Sequence, residues 1–323
     1  MRVVVCPDKF AGTLTAVTAA RAIATGWSRA RPEDEVRCIP LADGGPGFVE
    51  VMHANLEGVL HGVDVQDPLG RPVRAQWLQV GNTAYVEAAQ ANGLALLSRA
   101  ERDPVRASTY GVGQLIGAAA GCRRVVVGLG GSATNDGGRG ALEALGYRDV
   151  PGLVVASDVD CPLLGPAGAT YGFAAQKGAT AQQLPVLEER MRRWAAQDPA
   201  LAEAPGAGAA GGLGYGLMLL GGVRVSGIDL VMEAVGMAPA CSGADLVITG
   251  EGRFDWQSLH GKVFSGVRAV AARVLVLAGE VAMADPPVPA FSLVEHVGVR
   301  RAFAEPADAL AELASYVAAG VQG

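Results

Sequence analysis

The chain has 323 residues, half of them hydrophobic and 18% charged, with 26 Lys and Arg against 32 Asp and Glu for a formal charge of −6. That length supports two domains with sizeable cores, and a mildly acidic balance without a basic cluster excludes nucleic acid as the main partner, because neutralising phosphates needs a basic face. Five scattered cysteines, Cys6, Cys38, Cys122, Cys161 and Cys241, form no C-x-x-C pair. This predicts a reduced, cytoplasmic chain with no disulfide framework or zinc site. The apolar run in MRVVVCPDKF is too short for a signal peptide. The uncharged stretch 206–223 is too rich in glycine for a membrane span.

Short β-branched runs alternate with helical patterns at both ends of the chain. Arg2–Cys6 reads as a strand. Thr15 is placed to cap a helix whose inner face carries Val17, Ala20, Ala24 and Trp27. Val36–Pro40 is a second strand, followed by an ADGG loop and a helix around Val49–Leu56. The middle of the chain differs: Asp67-Pro68-Leu69-Gly70 is a turn, and Val73–Val80 and Thr83–Ala88 flank Gly81-Asn82 as a hairpin. A helix near Thr109–Ala120, strands Arg124–Leu129 and Leu153–Ser157, and a charged helix around Gln182–Gln197 follow. The opening rhythm then returns with strand Asp245–Thr249, helix Ser258–Ala272, strands Val274–Ala278 and Leu293–Val299, and helix Ala307–Ala318. The expected fold is therefore α/β. Both chain ends (1–58 plus 240–323) form a parallel-sheet domain of the flavodoxin or Rossmann kind, and a mixed α/β domain (59–239) is inserted in it.

Ligands of open parallel sheets bind beyond the carboxyl ends of the strands, and here those positions carry acid and glycine. Pro7-Asp8-Lys9, Asp43-Gly44-Gly45, GGSATNDGG (Gly130–Gly138), Asp158-Val159-Asp160, GEGRFD (Gly250–Asp255) and Gly279-Glu280 each follow a strand. Any one of them is an ordinary turn; six together point to a site. In GGSATNDGG, Gly130 and Gly131 free the backbone to aim N–H groups at an anion. Ser132, Thr134 and Asn135 are placed to cap the next helix, and Asp136 to hold a cation. In GEGRFDWQSLHGK, Arg253 and Lys262 suit a carboxylate or phosphate, and Glu251 and Asp255 suit Mg²⁺ or a base. Lys177 adds another cation, with a solvated surface lysine as the alternative. Loose glycine fingerprints at Gly128–Ala133 and Gly206–Gly211 give weak support to a nicotinamide enzyme, since the first follows a strand but lacks the acidic residue about twenty positions on, and the second follows no strand. Carboxylates, cations and a glycine loop are the parts of phosphoryl transfer.

The segments PDKFAGTLTA, ADGGPG, VEAAQANGL, TYGVGQLI, GLGGSATNDGGRGALEALG, ASDVDCPLLGPAGAT, QKGAT and ADLVITGEGRFDWQSLHGK, in this order, resemble the bacterial type-1 glycerate kinases. The resemblance implies ATP-dependent phosphorylation of D-glycerate, commonly to 2-phosphoglycerate, by two α/β domains with a cleft between them. On that expectation Asp158, or secondly Asp43, orients or deprotonates the attacking hydroxyl, and Arg253 and Lys262 hold charged oxygens. Gly130, Gly131, Ser132, Asn135 and Lys177 bind the nucleotide, and Mg²⁺ lies among Asp136, Asp160 and Glu251. The partners expected are glycerate and ATP, with no nucleic acid or membrane, in a monomer or homodimer. The chain departs from the family pattern at Ala11 (usually Lys), Pro46 (usually Glu), Arg139 (usually small), Cys161 (usually Asn) and Ala174-Ala175 (usually Gly-Pro). These departures raise the alternative of an altered or non-catalytic ligand-binding relative.

Overall fold

The computed structural model describes residues 1–10, 12–260 and 262–321, apart from the side chains of His260 and Lys262. Its strands are β1 (Arg2–Val5), β2 (Glu35–Cys38), β3 (Val59–Gln66), β4 (Pro72–Val80), β5 (Thr83–Glu87), β6 (Arg124–Gly128), β7 (Leu153–Ala156), β8 (Val223–Val225), β9 (Leu246–Phe254), β10 (Val274–Val281) and β11 (Ala290–Ser292). They form two sheets, and the chain divides into two compact units. One comprises Met1–Ala42, Glu50–Leu56 and Ile228 onward; the other comprises Asp43–Val49 and Glu57–Gly227.

The first unit holds an all-parallel sheet in the order β11-β10-β9-β1-β2. The helix Ala16–Ala30 begins where Thr15 accepts from the Thr18 N–H at 3.2 Å, and it buries Val17, Ala20, Ile23 and Trp27. Ala20, Ile23 and Trp27 join Val3, Val5, Ile248, Leu275 and Leu277 of the strands, with Leu310 and Leu313 of the helix Pro306–Gly320, in one core. The order reverses between β1 and β9, since the chain moves outward to β2 on one side and to β10 and β11 on the other. That is the switch point where α/β sheets open a crevice.

The second unit has a six-stranded mixed sheet, β3-β4-β5-β6-β7-β8. β3, β4 and β5 are antiparallel, with Val80 opposite Thr83 across the Gly81-Asn82 turn; β5 through β8 are parallel. Its core gathers Trp77, Val86, Leu115, Ile116, Val125, Val127, Leu142, Val155, Leu213 and Tyr215.

Several elements differ from the sequence expectation. Residues 228–239 lie in the first unit: Ile228 and Met232 pack against Gly266. Asp43–Val49 lies in the second. The strand expected at Asp245–Thr249 runs on to Phe254, because β10 continues to pair with it as far as Val281 opposite Phe254. The run Leu293–Val299 is not a strand. β11 ends at Ser292, whose hydroxyl accepts from the Glu295 N–H at 3.4 Å and starts the short helix Leu293–Val297; an apolar run of that length fits either state until its cap is counted. The helix expected at Ser258–Ala272 is helical at Trp256–His260 and at Lys262–Val270, and Gly261 lies outside the described residues. The stretch 206–223 contains the helix Ala209–Leu219, broken at Ala210, Gly211 and Gly212 by left-handed backbone. No helix among the described residues is long and apolar enough to cross a membrane.

Candidate active site

In the second unit the parallel strands deliver their loops to one sheet edge. Beyond β6, the loop Gly130–Gly138 is tied down from several directions. Leu94 donates its N–H to the Gly131 carbonyl (2.8 Å), and Ala133 donates to Asn92 (2.7 Å). The Gly137 N–H donates to Gly211 (3.0 Å), and the Trp194 indole N–H donates to the Gly137 carbonyl (2.9 Å). The Asp136 carboxylate is buried and accepts from the Thr109 N–H and hydroxyl (both 2.8 Å), Gly138 N–H (3.1 Å) and Gly140 N–H (3.2 Å). Both oxygens accept from these donors, so Asp136 organises the loop. It also supplies the helix start expected of Ser132, Thr134 and Asn135: the helix Arg139–Leu145 begins at left-handed Gly138 with no hydroxyl or amide cap. Asn135 donates instead to the Thr170 hydroxyl (3.2 Å).

Lys177 is not the solvated surface lysine of the alternative reading. It is 3% exposed, and its Nζ donates to the Ser132 hydroxyl (2.9 Å) and the Thr134 carbonyl (2.7 Å). Burial pulls its pKa down to about 8, against the raising influence of Asp136 and Cys161. Among the described residues no backbone carbonyl accepts from the N–H of Gly130, Gly131 or Ser132. Gly131 is left-handed (φ 62°). Unspent N–H groups around a left-handed residue are what an oxyanion requires.

Two carboxylates border this loop. A Cβ placed on Gly130 would lie 2.6 Å from the Gly45 Cα, and one on Gly131 would lie 2.6 Å from the Pro46 ring. The Asp43-Gly44-Gly45 turn therefore rests directly on the glycine loop, with the Asp43 Oδ1 accepting from the Gly45 N–H at 3.0 Å. Glu87, at the end of β5, accepts from the Val49 N–H (3.2 Å). Beyond β7, the Asp158 Oδ1 accepts from the Ser226 hydroxyl and the Gly227 N–H, both at 2.8 Å, and Gly227 packs on the Asp43 carbonyl. Asp43, Asp158 and Gly130–Ser132 thus converge. Asp160 does not join them: it is exposed and paired with Arg224, whose guanidinium also reaches the Ser157 carbonyl (3.1 Å).

In the first unit the switch point carries a second group. The Asp8 N–H donates to the Gly250 carbonyl (2.8 Å), joining the ends of β1 and β9. A cavity of about 340 Å³ there is lined by Asp8, Thr249, Glu251, Arg253, Asp255 and Ser258. Burial, with the charges of Asp8 and Asp255, pushes the Glu251 carboxyl up to about 7 against a hydrogen bond from Ser258. A neighbouring cavity of about 440 Å³ adds Lys9, Glu280, Leu293 and Phe303. Arg253 is 61% exposed and pairs with Asp255 (3.3 Å) and Glu280 (3.1 Å). Ala11 and the Lys262 side chain lie outside the described residues.

Sequence reasoning missed Thr109, Asn92, Ser226 and Glu87 as supports of the site. Ser226 follows β8, a three-residue strand too short to stand out. The signal was present in VRVSG, where the apolar alternation ends in a hydroxyl and a glycine.

An α/β protein of two units, one presenting a glycine loop with unbonded N–H groups beside carboxylates, carries the parts that a phosphoryl-transfer enzyme uses. The comparisons name the family. The sequence model of the Glycerate kinase family matches residues 3–152 and 151–322, and the chain belongs to that family. It is 42% identical to a glycerate kinase of Bacillus subtilis, covering 84% of this chain and 82% of that one. It is 38% identical to the glycerate 2-kinase of Escherichia coli, with 84% and 82% covered. A crystal structure described as a candidate glycerate kinase 2, from Salmonella typhimurium LT2, superposes with a TM-score of 0.83 at 33% identity, covering 99% of this chain and 98% of the other.

Proposed function

We propose that this chain transfers the γ-phosphoryl group of ATP to the 2-hydroxyl of D-glycerate, yielding 2-phosphoglycerate and ADP. The observation that carries the reading is the convergence of Asp43, Asp158 and the unspent N–H groups of Gly130–Ser132 at one sheet edge. Phosphoryl transfer proceeds through a loose transition state, so the protein mainly positions reactants and spreads negative charge. Backbone N–H groups meet that need because they do not reorganise as charge moves. Asp158 is the group that orients the attacking hydroxyl and takes up its proton: Ser226 and Gly227 hold its Oδ1, which fixes the carboxylate plane. Asp43 stands beside it. Arg253 and Lys262 hold charged oxygens of substrate or nucleotide.

The family implies Mg²⁺, and one part of the chain fits it. A kinase Mg²⁺ needs only one or two carboxylates beside the phosphates. Glu251, which lines the switch-point cavity with Asp8 and Asp255, offers such a carboxylate. Bound there, the ion would neutralise phosphate charge. Among the described residues no three acidic, His or Cys side chains are grouped to hold a metal by themselves.

ADP release, coupled to NADH oxidation, should require D-glycerate, and ³¹P NMR should place the phosphate on the 2-oxygen. Asp158→Asn should lower kcat by about 10²-fold or more with the fold intact by circular dichroism. Retention of activity would remove Asp158 from the mechanism. Absence of turnover with ATP and glycerate bound calorimetrically would instead support the non-catalytic reading. That reading is favoured by the Pro46 ring lying on Gly131 where the family usually has a glutamate.

A further inference from the structure

We propose that Lys177 is the positioning residue of the oxyanion cradle: its ammonium, bonded to Ser132 and Thr134 from behind, fixes the loop and supplies the positive charge that offsets Asp136. The inference rests on the kinase reading above and adds to it a proton-dependent control of nucleotide affinity.

Three observations combine. Lys177 is 3% exposed, so its charge is not solvated and must be answered by the protein. Its two hydrogen bonds, to the Ser132 hydroxyl and the Thr134 carbonyl, fall on either side of Ala133 and immediately follow the Gly130–Ser132 cradle. The loop's other anchor, the Asp136 carboxylate a few residues along the same loop, is also buried and favours the charged form of Lys177. With Lys177 protonated, this buried pair is neutral. With Lys177 deprotonated, Asp136 stands uncompensated behind a cradle built for anions.

The groups that act electrostatically on Lys177 are Asp136, on the glycine loop beyond β6, and Cys161, beyond β7. Burial keeps the Cys161 thiol above its ordinary range. A neutral amine still has two N–H groups and can keep both hydrogen bonds. Losing the proton therefore removes charge while preserving geometry. This separates an electrostatic role from a purely structural one.

A bound phosphate chain stabilises the ammonium and raises its pKa. By linkage, the alkaline limit belongs to the free enzyme. In the wild-type protein, kcat/KM for ATP, measured at saturating glycerate, should fall above roughly pH 8 by about tenfold per pH unit, while kcat stays level. ATP phosphates do not titrate there, since phosphate monoesters ionise near pH 6. Lys177→Met should raise KM for ATP at pH 7 by tenfold or more and abolish the alkaline fall. Lys177→Gln, a neutral donor, should keep the loop folded yet behave like the methionine variant. A flat kcat/KM profile from pH 7 to 9.5 in the wild type would overturn the proposal without needing any variant. So would Lys177→Gln retaining wild-type KM. Absence of turnover at pH 7 would instead strike the kinase reading itself, so the two failures are distinct.

Discussion

Glu251 shows how one side chain couples the switch-point cavity to pH. Its folded pKa of about 7 lies above the ordinary carboxyl value of 4.5. Between these values the native state holds a proton that the unfolded state has released. Stability therefore falls as pH rises from about 4.5 to 7 and stays lowered above it. Glu251→Gln removes this loss. Allowing for partial solvent exposure, the variant should gain about 2 kcal/mol relative to wild type at pH 8 compared with pH 4.5, read from urea unfolding at both values. An equal difference at the two pH values would show that the carboxyl is ordinary. The same segment shows what sequence alone can read at this scale. That Glu251, Arg253 and Asp255 crowd one strand end follows from spacing of a few residues. That Asp8 joins them follows only from β1 pairing with β9, more than two hundred residues away. Asp136 is the converse: its residue type suggested a cation ligand, and nothing local announced that Thr109, twenty-seven residues earlier, would donate to it twice.

Among the elements, the helix Ala209–Leu219 carries the clearest constraint. Its left-handed break presses Gly211 onto the Thr134 carbonyl, so any Cβ there would strike the backbone of the glycine loop. Gly221 has a similar backbone (φ 79°) with open space around it. Gly221→Ala should therefore cost about 1–2 kcal/mol for the conformation alone. Gly211→Ala should cost about 3 kcal/mol or more, since overpacking adds to it, and should also depress kcat. Thermal unfolding of the two variants side by side measures the difference, and equal losses would mean that the loop yields. Local chemistry made some elements legible: the Thr15 cap, the Gly81-Asn82 hairpin and the alternating strands that flank it. It failed where length was short or state ambiguous, as at β8 and at Leu293–Val297. It failed again where tertiary pairing extended an element, as in β9.

Over the whole molecule, each unit has its own sheet and its own core, one built around Trp27 and Ile23, the other around Leu115 and Tyr215. Two cores of this kind need not melt together. Scanning calorimetry should give a calorimetric enthalpy larger than the van't Hoff value, and a ratio of one would mean a single cooperative unit. The alternation of strand and helix made the α/β class and the mixed middle segment legible, because period and turn chemistry are local signals. It did not show that Asp43–Val49 clusters with residues 57–227, since that docking depends on glycines meeting glycines across the fold.

The resting of Gly45 on Gly130 and of Pro46 on Gly131 bears on how such a protein can diverge. Where main chain lies against main chain there is no side chain to exchange, so this part of the architecture resists mutational drift. New ligand preferences must arise at its rim, through positions such as Pro46 that touch the frame without composing it. A library aimed at other hydroxy acids would do best to leave the glycines untouched and diversify that border.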